Sequence, residues 1–135
     1  MTMEEKNNNS SQYIPTILVI EDNIDMLQLI GRIIMEEGLR VLLAQDSVYG
    51  LSLLKESNPD LVLLDIKMPE PDGFAALKSI REQSNIPIIM VTANWEQEAV
   101  EKALAMGADD YIKKPFRSAE LIARIKAKLR RLNGY

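Results

Sequence analysis

The chain contains no cysteine and no histidine among its 135 residues. Without cysteine there are no disulfides, no thiolate nucleophile and no Cys-ligated zinc or iron–sulfur centre. Without histidine, Ser-His and Cys-His triads, imidazole acid–base chemistry and histidine-ligated metals are excluded. Also missing is an excess of positive charge: 16 basic residues stand against 20 acidic ones, a net charge of −4. Both signs are spread along the chain, so no basic footprint for direct nucleic-acid binding is expected. No apolar run is long enough to span a bilayer, and the N-terminus is too polar for a signal peptide. The expected location is the cytoplasm, without membrane contact. What remains for chemistry is carboxylates, Lys, Ser/Thr, Tyr, backbone groups and a hard cation.

The hydrophobic share of 47% and charged share of 27% fit one ordinary globular domain with a real core. Residues 1–13 read as a disordered polar leader, with the run Asn7-Asn8-Asn9-Ser10-Ser11 and too little apolar surface to offset ordering. The domain is expected over 14–132, with 133–135 a tail or the start of a linker.

Five short apolar runs are expected as strands: Thr16–Glu21, Arg40–Ala44, Leu61–Asp65, Pro87–Thr92 and Asp110–Lys113. The first, third and fourth are nearly continuous, as in strands buried on both faces. Helical spacing fills the gaps. The first helix, about Asp25 to Glu37, places Met26, Leu29, Ile30, Ile33 and Ile34 on one side, with Gly38 as its stop. The second runs from about Ser47 to Lys55 behind an Asp46 cap and ends before Asn58-Pro59, and the third follows Asp72 with Phe74, Leu77 and Ile80. The fourth is expected from Trp95 to Met106, with Asn94 as cap, Gln97 at the third position and Gly107 as stop. The fifth starts at Ser118 with Leu121, Ile122, Ile125 and Leu129, and it gathers basic residues toward its C-terminal end. Strict β-α alternation predicts an α/β, doubly wound parallel sheet with helices on both faces, and ligands at the carboxyl ends of the strands.

Those ends are polar. Glu21 and Asp22 close the first strand, Asp65 the third and Thr92 the fourth, while the fifth runs into Lys113-Lys114-Pro115. Each alone is ordinary turn chemistry, and Asp22 could simply cap the first helix. Together, three carboxylates at one edge repel one another unless a cation joins them. Mg²⁺ is the natural occupant, and a carboxylate beside Mg²⁺, Lys and Thr is suited to phosphoryl transfer.

The motifs ILVIEDN (17–23), LVLLDIKMPEPDG (61–73), VTA (91–93) and GADDYIKKPF (107–116) resemble the receiver domain of two-component response regulators. The resemblance covers the chain from Ile14 to about Arg131. It implies a flavodoxin-like (βα)5 fold with strand order 2-1-3-4-5. It further implies Asp65 as phosphoacceptor and Mg²⁺ held by Glu21, Asp22, Asp65 and the Lys67 backbone carbonyl. Thr92 would bond the phosphoryl group, Lys114 would pair with Asp65 or its phosphate, and Tyr111 would be the aromatic switch. Lys67 and Asn94 would border the site and tune decay of the acyl phosphate.

The stretch KPFRSAELIARIKAKLRR (114–131) is similar to receivers of the winged-helix transcription-factor subfamily, which dimerise through helix four, strand five and helix five. That likeness assigns Asp109, Asp110, Glu120, Arg124 and Arg131 to a dimer face. The basic residue usual on helix four is Val100 here, with Lys102 as a substitute half a turn on. A solvated helix with local ion pairs is the plainer reading of the same residues.

The expected partners are a sensor histidine kinase or phosphotransfer protein, which supplies the histidine this chain lacks, and a second copy on phosphorylation. The expected function is a phosphoacceptor, not an enzyme, controlling a DNA-binding regulator whose effector is not in this chain. Alternatives are a single-domain relay or interaction module, a Mg²⁺-dependent Asp-nucleophile phosphatase, and a flavodoxin-like FMN binder. The phosphatase wants a second acid at the position of Lys67. The FMN binder wants a Ser/Thr/Gly-rich loop where Glu21 and Asp22 stand.

Overall fold

The computed structural model describes residues 13–69, 71–93 and 96–130. Five strands alternate with five helices: β1 Thr16–Ile20, α1 Ile24–Glu36, β2 Arg40–Ala44, α2 Ser47–Ser57, β3 Leu61–Leu64, α3 Gly73–Gln83, β4 Ile88–Thr92, α4 Gln97–Ala105, β5 Asp110–Lys113 and α5 Ser118–Leu129. The strands form one sheet in the order β2-β1-β3-β4-β5, and every pairing is parallel. This is the expected doubly wound architecture.

Side chains alternate across the pleat, so each central strand feeds two cores. Ile17, Val19, Leu61, Leu63, Ile89 and Val91 pack with Leu27, Ile30 and Ile34 of α1 and Leu121, Ile125 and Leu129 of α5. Leu18, Ile20, Val62, Leu64, Ile88 and Met90 pack with Leu54 of α2, Leu77 and Ile80 of α3 and Ala103 of α4. Burial on both faces is why β3 and β4 read as unbroken apolar runs. The edge strands β2 and β5 are more exposed.

Several expectations of detail are corrected. In α1 the core position belongs to Leu27, while Leu29 is exposed. Both fit an apolar stripe; the direction in which α1 meets the sheet selects one. The cap of α1 is Asn23, whose side chain accepts from the Met26 N–H at 2.9 Å, so Asp22 is not the cap. Helix α2 continues to Ser57 and ends on Asn58 in the left-handed region, φ 50°. Asn tolerates that conformation, so the helix stops only at the residue before Pro59. Helix α4 begins at Gln97 with Glu96 at its N-cap position and no side-chain cap bond. Asn94 and Trp95 lie outside the described residues. The Asp46 cap is as expected, accepting from Tyr49 N–H, and the structure adds a cap at Asp72, which accepts from Ala75 N–H. Among the described residues, no helix is long and apolar enough to cross a membrane.

Candidate functional site

The site is an extension of the sheet. Just past the strand ends, the Glu21 N–H donates to the Ala44 carbonyl at 3.0 Å, Asp65 N–H to Ile20 at 3.2 Å, and Lys114 N–H to Thr92 at 3.0 Å. Each bond continues the ladder by one residue. Three charged side chains are thereby set at the ends of β1, β3 and β5 by backbone geometry, not by loop conformation.

Their side chains meet. Lys114 Nζ donates to Glu21 Oε1 at 2.6 Å and to Asp65 Oδ2 at 3.1 Å. Lys114 therefore bridges the two acids and lies nearer Glu21, a partner that the sequence reading did not assign to it. Glu21 and Asp65 are 2% and 5% exposed, and Thr92 at the end of β4 is fully buried. The remaining carboxylate oxygens accept backbone bonds: Glu21 Oε2 from Asn23 N–H at 3.1 Å, Asp65 Oδ1 from Lys67 N–H at 3.2 Å. The Lys114–Pro115 peptide is cis.

Burial raises the Glu21 pKa, the Lys114 hydrogen bond opposes it, and the charge of Asp65 adds to the rise. For Lys114, burial acts to lower the pKa, but the bond to Glu21 and the charges of both acids outweigh it, so the ammonium stays protonated. The Tyr111 phenol is pushed up to about 12, by burial first and by Asp65 second.

Asp22 is exposed at the mouth of this pocket. Glu21, Asp22 and Asp65 each offer one carboxylate oxygen, and these atoms lie within 4.8 Å of one another. One divalent cation could bridge them. Hard oxygen donors of this kind suit Mg²⁺ or Ca²⁺.

The family model for the response regulator receiver domain matches residues 17–126. The chain belongs to that family. This receiver is 38% identical over 115 residues to the DNA-binding response regulator MtrA of Mycobacterium tuberculosis, covering 85% of this chain and 50% of MtrA. It is 42% identical over 115 residues to the transcriptional regulatory protein CpxR of Klebsiella pneumoniae, covering 85% of this chain and 49% of CpxR. It thus spans about half the length of these curated relatives. A crystal structure of a two-component response regulator from Clostridium difficile superposes with a TM-score of 0.85 at 32% identity, covering 88% of this chain and 98% of that one.

Within the receiver, the structure brings Glu21, Asp22, Asp65 and Lys114 together, with Thr92 at the end of β4 and Tyr111 in β5. The Lys67 side chain is exposed beside Asp65. Asn94 and Arg131 lie outside the described residues.

The described residues assigned to a dimer face are engaged within the chain. Arg124 holds both Asp110 oxygens at 3.0 Å and reaches Glu120 at 3.4 Å. Asp109 instead turns to Arg81 at 2.9 Å and accepts from the Ile88 N–H at 2.8 Å. Lys102 Nζ sits 4.2 Å from the centre of the Phe74 ring. Arg81 escaped the sequence reading, yet it also donates to the carbonyls of Ser84, Ile86 and Gly107. Nothing in its local sequence marks it, because its four partners come from the α3 end and from beyond β4.

Gly73 was likewise read only as part of a motif. A Cβ there would lie 2.2 Å from the Asp65 carbonyl oxygen, so only glycine lets α3 start this close to the strand end.

Proposed function

We propose that Asp65 accepts a phosphoryl group from a phosphohistidine on a sensor histidine kinase or phosphotransfer protein. A carboxylate oxygen of Asp65 forms a bond to phosphorus as the phosphorus–nitrogen bond breaks, and the electron pair leaves with the imidazole. Glu21, Asp22, Asp65 and the Lys67 backbone carbonyl would hold Mg²⁺, which when bound supplies charge neutralisation on the phosphoryl oxygens. Lys114, already protonated beside Asp65, exchanges its carboxylate partner for a phosphoryl oxygen. The Thr92 hydroxyl donates to another, and Tyr111 follows as the switch. Lys67 and Asn94 tune hydrolysis of the acyl phosphate. The domain assists its own phosphorylation and dephosphorylation without being an enzyme in the turnover sense.

The observation that carries this reading is the Lys114 bridge between two buried acids at the strand ends. The similarity to MtrA and CpxR supports the rest. We read the chain as the receiver of a cytoplasmic, winged-helix type transcription regulator, whose α4–β5–α5 face controls dimerisation. The test is incubation with Mg²⁺ and acetyl phosphate, which should add one hydroxylamine-labile phosphate to the wild type and none to Asp65→Asn. Equal labelling of both would show that Asp65 is not the nucleophile.

A further inference from the structure

One buried polar side chain outside the acidic pocket has no part in the chemistry above. Ser47, the first residue of α2, is 1% exposed, and its hydroxyl donates to the Pro71 carbonyl at 2.9 Å. The bond joins elements 24 residues apart in sequence. Pro71 directly precedes Asp72, the cap of α3, and so lies in the β3–α3 connection that follows Asp65. The base of that connection is closed by Gly73 N–H donating to the Ile66 carbonyl at 3.0 Å, and by Gly73 lying hard against the Asp65 backbone. Its near end carries the Lys67 N–H bond to Asp65 Oδ1. The Ser47 bond therefore pins from α2 a segment that Gly73 already ties to β3.

We propose that Ser47 is a positioning residue for the phosphoryl site. It acts through the Pro71 carbonyl to hold the β3–α3 connection, and with it the Lys67 backbone, against Asp65. The proposal rests on the reading of the site given above, in which the Lys67 carbonyl is a cation ligand. A buried hydroxyl bonded to a backbone carbonyl is difficult to replace by water, so its loss frees the connection instead of rehydrating it. Groups bonded directly to a metal ligand orient it, and Ser47 acts one step further out, on the connection that carries the Lys67 carbonyl.

The test compares wild type with Ser47→Ala, Ser47→Cys and Arg81→Ala. Ser47→Cys keeps the side-chain shape with a somewhat larger atom while donating only weakly. Arg81→Ala removes bonds at the far end of α3 and reports general loss of stability. Mg²⁺ affinity is read by calorimetric titration, and exchange of the Met68 and Gly73 amide hydrogens by NMR in the metal-free protein. Ser47→Ala and Ser47→Cys should both weaken Mg²⁺ binding roughly tenfold, the lower end of what losing an outer partner does to a metal site. Both should also speed those two amides, and Arg81→Ala should do neither. Mg²⁺ affinity within about twofold of wild type in Ser47→Ala would overturn the proposal, whatever happens to its melting temperature. A wild type that takes up no Mg²⁺ would instead remove the reading of the site itself, and this inference with it.

Discussion

Lys114 faces three carboxylates with one positive charge. It satisfies Glu21 and Asp65 and leaves the pocket with an excess of negative charge, which is the physical reason for the cluster to attract a cation. Removing Lys114 leaves two buried acids without their charged donor. Lys114→Ala should therefore lose about 2 kcal/mol of stability in chelator, the scale of charged hydrogen bonds in a partly open site. Mg²⁺ at a hundredfold its Kd should add about 2.7 kcal/mol to wild type by mass action, and clearly less to Asp22→Asn. Urea unfolding with and without Mg²⁺ measures both. A Lys114→Ala curve that overlies wild type in chelator would contradict the bridge. At this scale the sequence was informative about identity and silent about pairing. Residues 21, 65 and 114 were visible as polar strand ends, but Lys114 leaning toward Glu21 depends on β1 and β3 being neighbours in the sheet.

Among the elements, the helices show how far local pattern reaches. The cap at Asp46 was legible because a cap is bonded to a residue three positions on. The choice between Asp22 and Asn23 was not, because either could reach a helical N–H, and only the entry angle of α1 decides. Glycines divide in the same way. A Cβ at Gly73 would meet the Asp65 backbone at 2.2 Å, whereas at Gly50 it would meet the Ile20 side-chain end at 2.5 Å. A side-chain end can rotate and a strand backbone cannot. Gly73→Ala should accordingly cost at least about 3 kcal/mol and Gly50→Ala about 1 kcal/mol, the two ends of the overpacking range. Urea midpoints at constant slope would check the order; equal losses would mean that α3 shifts freely against β3.

For the molecule as a whole, the proposed dimer must reckon with charges already paired. Arg124 is committed to Asp110 and Glu120 in the same chain, all partly or largely open to solvent. Exchanging such pairs for equivalents across an interface yields little net energy, since exposed ion pairs are worth about 0–1 kcal/mol each. Dimerisation should thus be weak and salt-sensitive. Sedimentation velocity is expected to show a monomer without phosphodonor and a dimer with acetyl phosphate and Mg²⁺. Arg124→Ala should weaken the dimer severalfold and keep the label on Asp65. An Arg124→Ala chain that dimerises like wild type would place the interface elsewhere.

By itself the sequence determined the alternation of strands and helices, the buried character of β1, β3 and β4, and the residue types that end the strands. These are encoded locally, in periodicity, caps and the absence of His and Cys. Only the tertiary structure decided which faces are buried, Leu27 over Leu29, and which charges meet: Lys114 with Glu21, Arg81 with Asp109, Ser47 with Pro71. Those choices rest on the docking of elements far apart in the chain. Side-chain contact between them is set by where the sheet and its helices place each backbone, which no local pattern records.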